Sequence, residues 1–194
     1  MVEITQVPGL YYFENVLSDE ECKQIIEDLD KKIWTPLSNS SNSRKVQHYG
    51  YLYDYKGYSV TKAPEDIPIF LEDCKNKLTI LNTENTGLKE YIFNQCIVNN
   101  YEPGQAISRH IDLKTFGKVI GCYTLGSGAT MRFAKGSVTK DIYVKPGSLY
   151  LMSGDARYLW THEMISKKKD ILEDGNTIER KRRISITFRN VPTV

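Results

Sequence analysis

The sequence predicts a mainly β fold with flanking helices, an antiparallel sandwich of the jelly-roll class. Short β-type runs recur at 92–101, 118–125, 129–134, 138–144, 148–152, 157–163 and 183–190. Turn signals separate them: Pro103-Gly104, Gly126-Ser127-Gly128, Lys135-Gly136, Pro146-Gly147 and Gly154-Asp155. Helical periodicity, by contrast, is confined to the N-terminal part of the chain.

The elements follow in order. Ser18 precedes Asp19-Glu20-Glu21, and Ser18 and Glu21 have capping-box spacing. Cys22, Ile25, Ile26 and Leu29 then mark one buried face of a helix. A second helix is expected over 67–79, with Pro68 suited to its first turn and Ile67, Phe70, Leu71, Cys74 and Leu78 on one stripe. Between the helices, Ser38-Asn39-Ser40-Ser41-Asn42-Ser43 reads as a polar loop. It leads into a ribbon where Tyr49, Tyr51, Tyr53 and Tyr55 alternate with the strand period. The stretch 166–182, with Lys167-Lys168-Lys169 and Arg180-Lys181-Arg182-Arg183 around its end, reads as a long charged loop between two strands.

Length and composition bound the function. A chain of 194 residues, 40% hydrophobic with net charge +2, is sized for one domain over 1–194: an N-terminal part of about 1–91 and a β core of about 92–192. No run of about 18 apolar residues suggests a membrane span. The first residues have no basic region followed by an apolar stretch, so the expectation is an intracellular protein that is not secreted. Cys22, Cys74, Cys96 and Cys122 have no Cys-x-x-Cys spacing and are expected as buried thiols. A charge of +2 does not by itself announce a nucleic-acid binder.

The chemistry is expected from few residues. The chain has three histidines, His48, His110 and His162. His110 and Asp112 form a His-x-Asp pair, and extended backbone would point both side chains to one side. With His162 from another strand they would complete a two-His-one-carboxylate set, which suits Fe(II) and leaves coordination positions open. A chance pair, or a Zn²⁺ site, is the competing reading. In the last strand, Ile184, Ile186 and Phe188 take one face and Arg183, Ser185, Thr187 and Arg189 the other. The two guanidinium groups could grip a short dicarboxylate through paired hydrogen bonds, or the strand could be a solvated basic edge. Asn99 and Tyr101 share a strand face and could donate to a bound acid.

In this order and spacing, Asn99-x-Tyr101, His110-x-Asp112, His162, and Arg183-x-Ser185 with Arg189 resemble the Fe(II)/2-oxoglutarate dioxygenases of the AlkB family. The resemblance covers roughly residues 8–192. Gln47-His48-Tyr49-Gly50-Tyr51, Asn100-Tyr101-Glu102-Pro103-Gly104 and Arg157-Tyr158-Leu159-Trp160-Thr161-His162 look most like segments of its tRNA-modifying animal members. The resemblance implies a double-stranded β-helix, with His110, Asp112 and His162 holding Fe(II). It implies 2-oxoglutarate held by Arg183, Tyr101 and Ser185 at its far carboxylate and by Arg189 and Asn99 nearer the metal. Each imidazole would be neutral, with its second ring nitrogen donating to a partner. With O₂ as co-substrate, the keto acid would leave as succinate and CO₂ while a substrate C–H is hydroxylated.

The implied partner is nucleic acid: RNA, tRNA above all, or alkylated DNA. The resemblance places a nucleotide-recognition lid within 1–91 and makes His48, Tyr49, Tyr51, Tyr53, Arg157 and Trp160 candidate substrate contacts. A packed tyrosine face is the alternative for the ribbon. The reaction would be hydroxylation of a wobble-uridine side chain or N-alkyl demethylation by a monomer, with a protein or small-molecule hydroxylase as the other reading. Two departures stand out. Lys114 occupies the position where the bacterial repair enzyme reads its base with an acid, and Glu163 stands where the family usually has Gly after the second His.

Overall fold

The computed structural model describes residues 2–40, 43–54, 57 and 59–192. Ser41 and Asn42 of the polar loop and Tyr55 of the ribbon lie outside the described residues. In chain order the first half holds β1 (Val2–Glu3), β2 (Leu10–Phe13), α1 (Asp19–Asp30), β3 (Thr35–Pro36), β4 (Lys45–Tyr49), β5 (Tyr51–Asp54), β6 (Ser59–Lys62) and α2 (Glu72–Thr86). The second half holds β7 (Gln95–Tyr101), β8 (Ile107–His110), β9 (Ile120–Gly126), β10 (Ala129–Lys135), β11 (Val138–Val144), β12 (Ser148–Met152), α3 (Gly154–Tyr158), β13 (Thr161–Met164), β14 (Lys169–Ile171), β15 (Thr177–Glu179) and β16 (Arg183–Arg189).

Two antiparallel sheets make the jelly roll. The major sheet runs β1-β2-β12-β9-β16-β7-β4-β3 and the minor one β11-β10-β13-β8, with β5–β6 and β14–β15 as separate hairpins. Alternation along the central strands of the major sheet sorts residues into two layers. On one face, Ile184, Ile186, Phe188, Val98 and Cys96 pack under Ile25 and Leu29 of α1 and Cys74 and Leu78 of α2. On the other, Ile120, Cys122, Tyr150 and Met152 meet Met131, Phe133 and Met164 of the minor sheet. Helix α2 approaches β9 so closely that a Cβ on Gly121 would stand 2.4 Å from Leu78 Cδ1. All four cysteines are buried and unpaired.

The capping box forms as expected: Ser18 Oγ accepts from the Glu21 amide at 3.2 Å, and Glu21 accepts from the Ser18 amide at 2.7 Å. Helix α2 differs from its expected span. A short 3₁₀ turn at Ile69–Leu71 precedes it, Pro68 caps that turn in extended geometry, and the helix runs on to Thr86 before left-handed Gly87. In its polar second half Thr79, Thr83, Asn85 and Thr86 satisfy their side chains on carbonyls four residues earlier.

Two further expectations are corrected. The run 157–163 is not one strand; α3 and β13 divide it. The segment 166–182 is not a plain loop; it folds into the β14–β15 hairpin. There Asp170, 1% exposed, takes both Nε and Nη2 of Arg180 and the amide of Thr130. No described helix is long and apolar enough to cross a membrane.

Candidate active site

The three chemistry-bearing residues meet at one end of the space between the sheets. β13 pairs antiparallel with β8 so that His162 lies directly opposite His110, and the ring centroids are 4.3 Å apart. A register irregularity follows between His162 and Met164. β8 ends at His110, so Asp112 reaches the site from the loop beyond it rather than from extended strand. One ligand atom from each of His110, Asp112 and His162 falls within 4.8 Å of the others, the span of a single ion's donors.

The protonation states suit a cation. His110 Nδ1 lies 2.7 Å from the Ser108 carbonyl, so this nitrogen donates to the backbone and Nε2 is the ring atom left to face a metal. Burial, and then the neighbouring His110, push His162 down to about 3, so its ring is neutral. Its Nδ1 is buried with no partner among the described residues. Burial alone would raise the Asp112 carboxyl, but the Arg189 guanidinium, followed by His162, His110 and Arg157, holds it well below the usual carboxylate range. Asp112 Oδ1 accepts from Arg189 Nη2 at 2.6 Å, and Oδ2 stands 3.5 Å from His162 Nε2. Two imidazoles, that of His162 neutral, and one ionised carboxylate fit a divalent iron.

A narrow inner cleft continues from this cluster between the sheets. Asn99, Tyr101, Arg183, Ser185, Thr187 and Arg189 line it together with His110, Asp112 and His162. The register explains the grouping: in the β16–β7 pair, Arg183 stands opposite Tyr101 and Ser185 opposite Asn99. Arg183 is 4% exposed. Its Nη2 donates to Thr124 Oγ1 at 2.9 Å and its Nε has no partner. No carboxylate pairs with it among the described residues. A buried guanidinium without an anion is costly, so the cleft fits an anionic ligand such as the far carboxylate of 2-oxoglutarate.

Outward, the cluster opens into a mouth of about 320 Å³ lined by Arg44, Tyr53, Ile97, Ile111, Leu113 and Phe116, with Asp112 the only carboxylate lining it among the described residues. Arg44 Nε donates to Asn99 Oδ1 at 3.0 Å, and the Tyr53 and Phe116 rings meet edge to face at 6.0 Å. Arg189 packs its guanidinium 4.7 Å from the Phe116 ring centroid.

The candidate substrate contacts divide. Tyr53 lines the mouth. His48 is half-buried; it pairs with Ile97 and so shares the site face of the sheet. Burial and the nearby Arg189 push its imidazole down to about 4. Tyr51 is half-buried on the β5–β6 hairpin, with Lys62 over its ring. Tyr49 does not share their face. Gly50 turns the chain at φ +73°, and Tyr49 packs in the helix-side core and bonds to Gln47. Trp160 sits in the core between the sheets. Arg157 is 1% exposed and, among the described residues, its hydrogen bonds go to backbone carbonyls. Among residues of the mouth, Phe116 carried no sequence signal, since nothing in a loop's composition says which ring turns inward.

A family model described as the 2OG-Fe(II) oxygenase superfamily matches residues 9–189. Protein L905 of Acanthamoeba polyphaga mimivirus is 31% identical over 188 residues, covering 94% of this chain and 85% of that protein. The tRNA (carboxymethyluridine(34)-5-O)-methyltransferase alkbh8 of Xenopus tropicalis is 32% identical over 205 residues, 95% of this chain and 32% of that protein. The chain thus spans about a third of the length of that relative. Among solved structures, that of OsALKBH1 superposes with TM-score 0.71 at 17% identity, over 94% of this chain and 96% of the other, a likeness of fold.

Proposed function

The chain belongs to the 2OG-Fe(II) oxygenase superfamily, in its AlkB branch, and from that premise we propose that it oxidises a nucleobase, with His110, Asp112 and His162 as the iron ligands. It is a 2-oxoglutarate-dependent iron dioxygenase. The observation that carries the substrate reading is the join between the two chambers. His110 and Asp112 line an aromatic-edged mouth of a size for a base, and an arginine-lined cleft for the keto acid, which also reaches His162, opens behind it.

Each residue then has a task. His110 is held in one tautomer by the Ser108 carbonyl. Arg189 orients the Asp112 carboxylate and, with Asn99, takes the near end of the keto acid. Arg183, with Tyr101 and Ser185, takes the far carboxylate. Bound iron, with 2-oxoglutarate and O₂, supplies an oxidant that inserts one oxygen into a substrate C–H while the keto acid becomes succinate and CO₂. The buried cleft keeps water from that chemistry. The base stacks against the Tyr53 and Phe116 rings.

Two reactions share this arrangement. On a uridine side chain the product is a stable alcohol; on an N-methyl group it collapses to formaldehyde and bare base. Arg44 and Arg189 at the mouth, with Asp112 its one lining carboxylate among the described residues and Lys114 in the adjoining loop, favour a neutral or electron-rich base over a cationic methylated one. Wobble-uridine hydroxylation in tRNA is the reading we adopt; the Xenopus relative, a carboxymethyluridine(34) methyltransferase, supports the choice of the wobble uridine. Succinate release should rise with bulk tRNA and less with N-methylated oligonucleotide. Stimulation by peptide alone would replace this reading with a protein hydroxylase.

A further inference from the structure

The metal ligands come from two separate pieces of chain. His110 and Asp112 lie on β8 and the loop after it, and His162 lies on β13. Five residues before His162, at the end of α3, stands Arg157, among the largest fully buried side chains of the molecule. It makes no salt bridge among the described residues. Its guanidinium instead donates to four backbone carbonyls of one loop: Asp112 at 3.0 Å, Phe116 at 3.0 Å, Gly117 at 3.2 Å, and Leu113. The loop 112–117 therefore curls around a single planar group anchored on the other ligand-bearing segment.

We propose that Arg157 is a positioning residue, a brace that fixes the Asp112 loop against the His162 segment so that the ligand set is assembled before metal arrives. The geometry argues for this over substrate contact, since each guanidinium nitrogen donates to backbone and Arg157 is not among the residues that line the mouth. It also argues for guanidinium in particular. Five N–H donors in a rigid fork can satisfy carbonyls five residues apart at once; an ammonium, with three donors on one atom, cannot span them. The same loop is gripped on its other side by Arg189, through Asp112 Oδ1 and the Phe116 ring. Asp112 and Phe116 are thus clamped between two arginines, one serving the metal set and the other also lining the mouth. Partners of this kind behind metal ligands typically set affinity by about 10- to 100-fold.

The inference rests on the proposed ligand assignment, and the test separates the two. Metal-free protein is titrated anaerobically with Mn(II), a redox-quiet stand-in for Fe(II), with folding followed by circular dichroism. Wild type should bind one Mn(II), and Asp112→Asn should abolish that binding. Arg157→Lys and Arg157→Gln, where folded, should each bind Mn(II) at least about tenfold more weakly. Lys should do no better than Gln, because the fork and not the charge carries the brace. A folded Arg157 variant with wild-type Mn(II) affinity overturns the brace alone. Absence of Mn(II) binding by wild type overturns the ligand assignment and the brace together. If both variants fail to fold, hydrogen exchange on metal-free wild type decides. The Phe116 and Gly117 amides, which donate to the Leu113 and Asn190 carbonyls, should be as protected as α3. Exchange at the rate of an open loop overturns the brace.

Discussion

The inner cleft and the outer mouth share Asn99, Ile107, His110, Asp112 and Arg189, yet the rest of each lining comes from different kinds of chain. The cleft is lined by strand residues whose neighbours are set by pairing: Arg183 against Tyr101, Ser185 against Asn99. The mouth takes Tyr53 from a two-stranded hairpin and Leu113 and Phe116 from a loop. A strand in the middle of an eight-stranded sheet cannot shift by one residue without exchanging its faces, so the keto-acid side is held by the fold as a whole. The base side hangs on local contacts and can vary without touching the rest. The chemistry is common to the superfamily and the substrate is not, and the two chambers divide along that line.

The largest expected effect tests whether the two chambers share a floor. His110→Ala should reduce succinate release to background, with or without nucleic acid, while the melting temperature of the metal-free protein stays near wild type; Asp112→Asn should abolish turnover too but lower the melting temperature, because Arg189 loses its buried anion. Turnover surviving either change would separate the chambers from the proposed metal.

The next comparison lies within β16, whose two faces serve different ends. Phe188, on the helix-side face, is fully buried in the core. Phe188→Ala should cost about 3–5 kcal/mol of stability in denaturant titration, while the folded fraction keeps its KM for 2-oxoglutarate. Arg183→Met should do the reverse. Losing charge-assisted hydrogen bonds worth about 1.5–3 kcal/mol should raise that KM about 10- to 150-fold. Stability should hold or rise, because an unpaired buried charge is removed. Equal effects of both variants on both quantities would mean the faces are not divided as described.

This division also explains what could be read from the sequence. The alternation in Arg183–Arg189 and the Asn99-x-Tyr101 pair survive in the fold because a period of two is a property of the strand itself. His110 and His162 were legible as residue types but not as a cross-strand pair, since register is fixed by partners fifty residues away. Tyr49 was placed with the other tyrosines because alternation assumes an unbroken strand. Gly50, where a Cβ would stand 2.0 Å from the Asn94 carbonyl oxygen, turns the chain and sends Tyr49 to the opposite face. Arg157 shows the same limit from another side: its motif was visible, but four backbone carbonyls as partners leave no trace in residue identities.

At the mouth the expected effects are smaller and fall on nucleic acid alone. Tyr53→Ala should weaken the nucleic-acid substrate by about 1–3 kcal/mol, the range for one stacked base, and leave the KM for 2-oxoglutarate unchanged. A matching loss in the 2-oxoglutarate KM would mean that the hairpin supports the cleft as well, and the contrast between the chambers would have to be redrawn.

The smallest effect concerns His48, which shares the site face with the cleft but sits one strand further out, opposite Ile97. Burial, and then Arg189, hold its imidazole at about 4 in the folded chain, against about 6.5 when unfolded. Its folded value is depressed, so the unfolded chain binds the extra proton first as pH falls. The stability that neutral His48 contributes is present above pH ~6.5 and is lost between there and pH ~4. Other groups titrate in that window, so the informative quantity is the difference between wild type and His48→Gln in the metal-free protein. Denaturant midpoints measured from pH 7.5 to 4.5 should show the variant losing less stability than wild type, by about 1–2 kcal/mol once solvent screening of a half-buried ring is allowed for. Parallel curves would place His48 in open water rather than half-buried on the site face of the sheet.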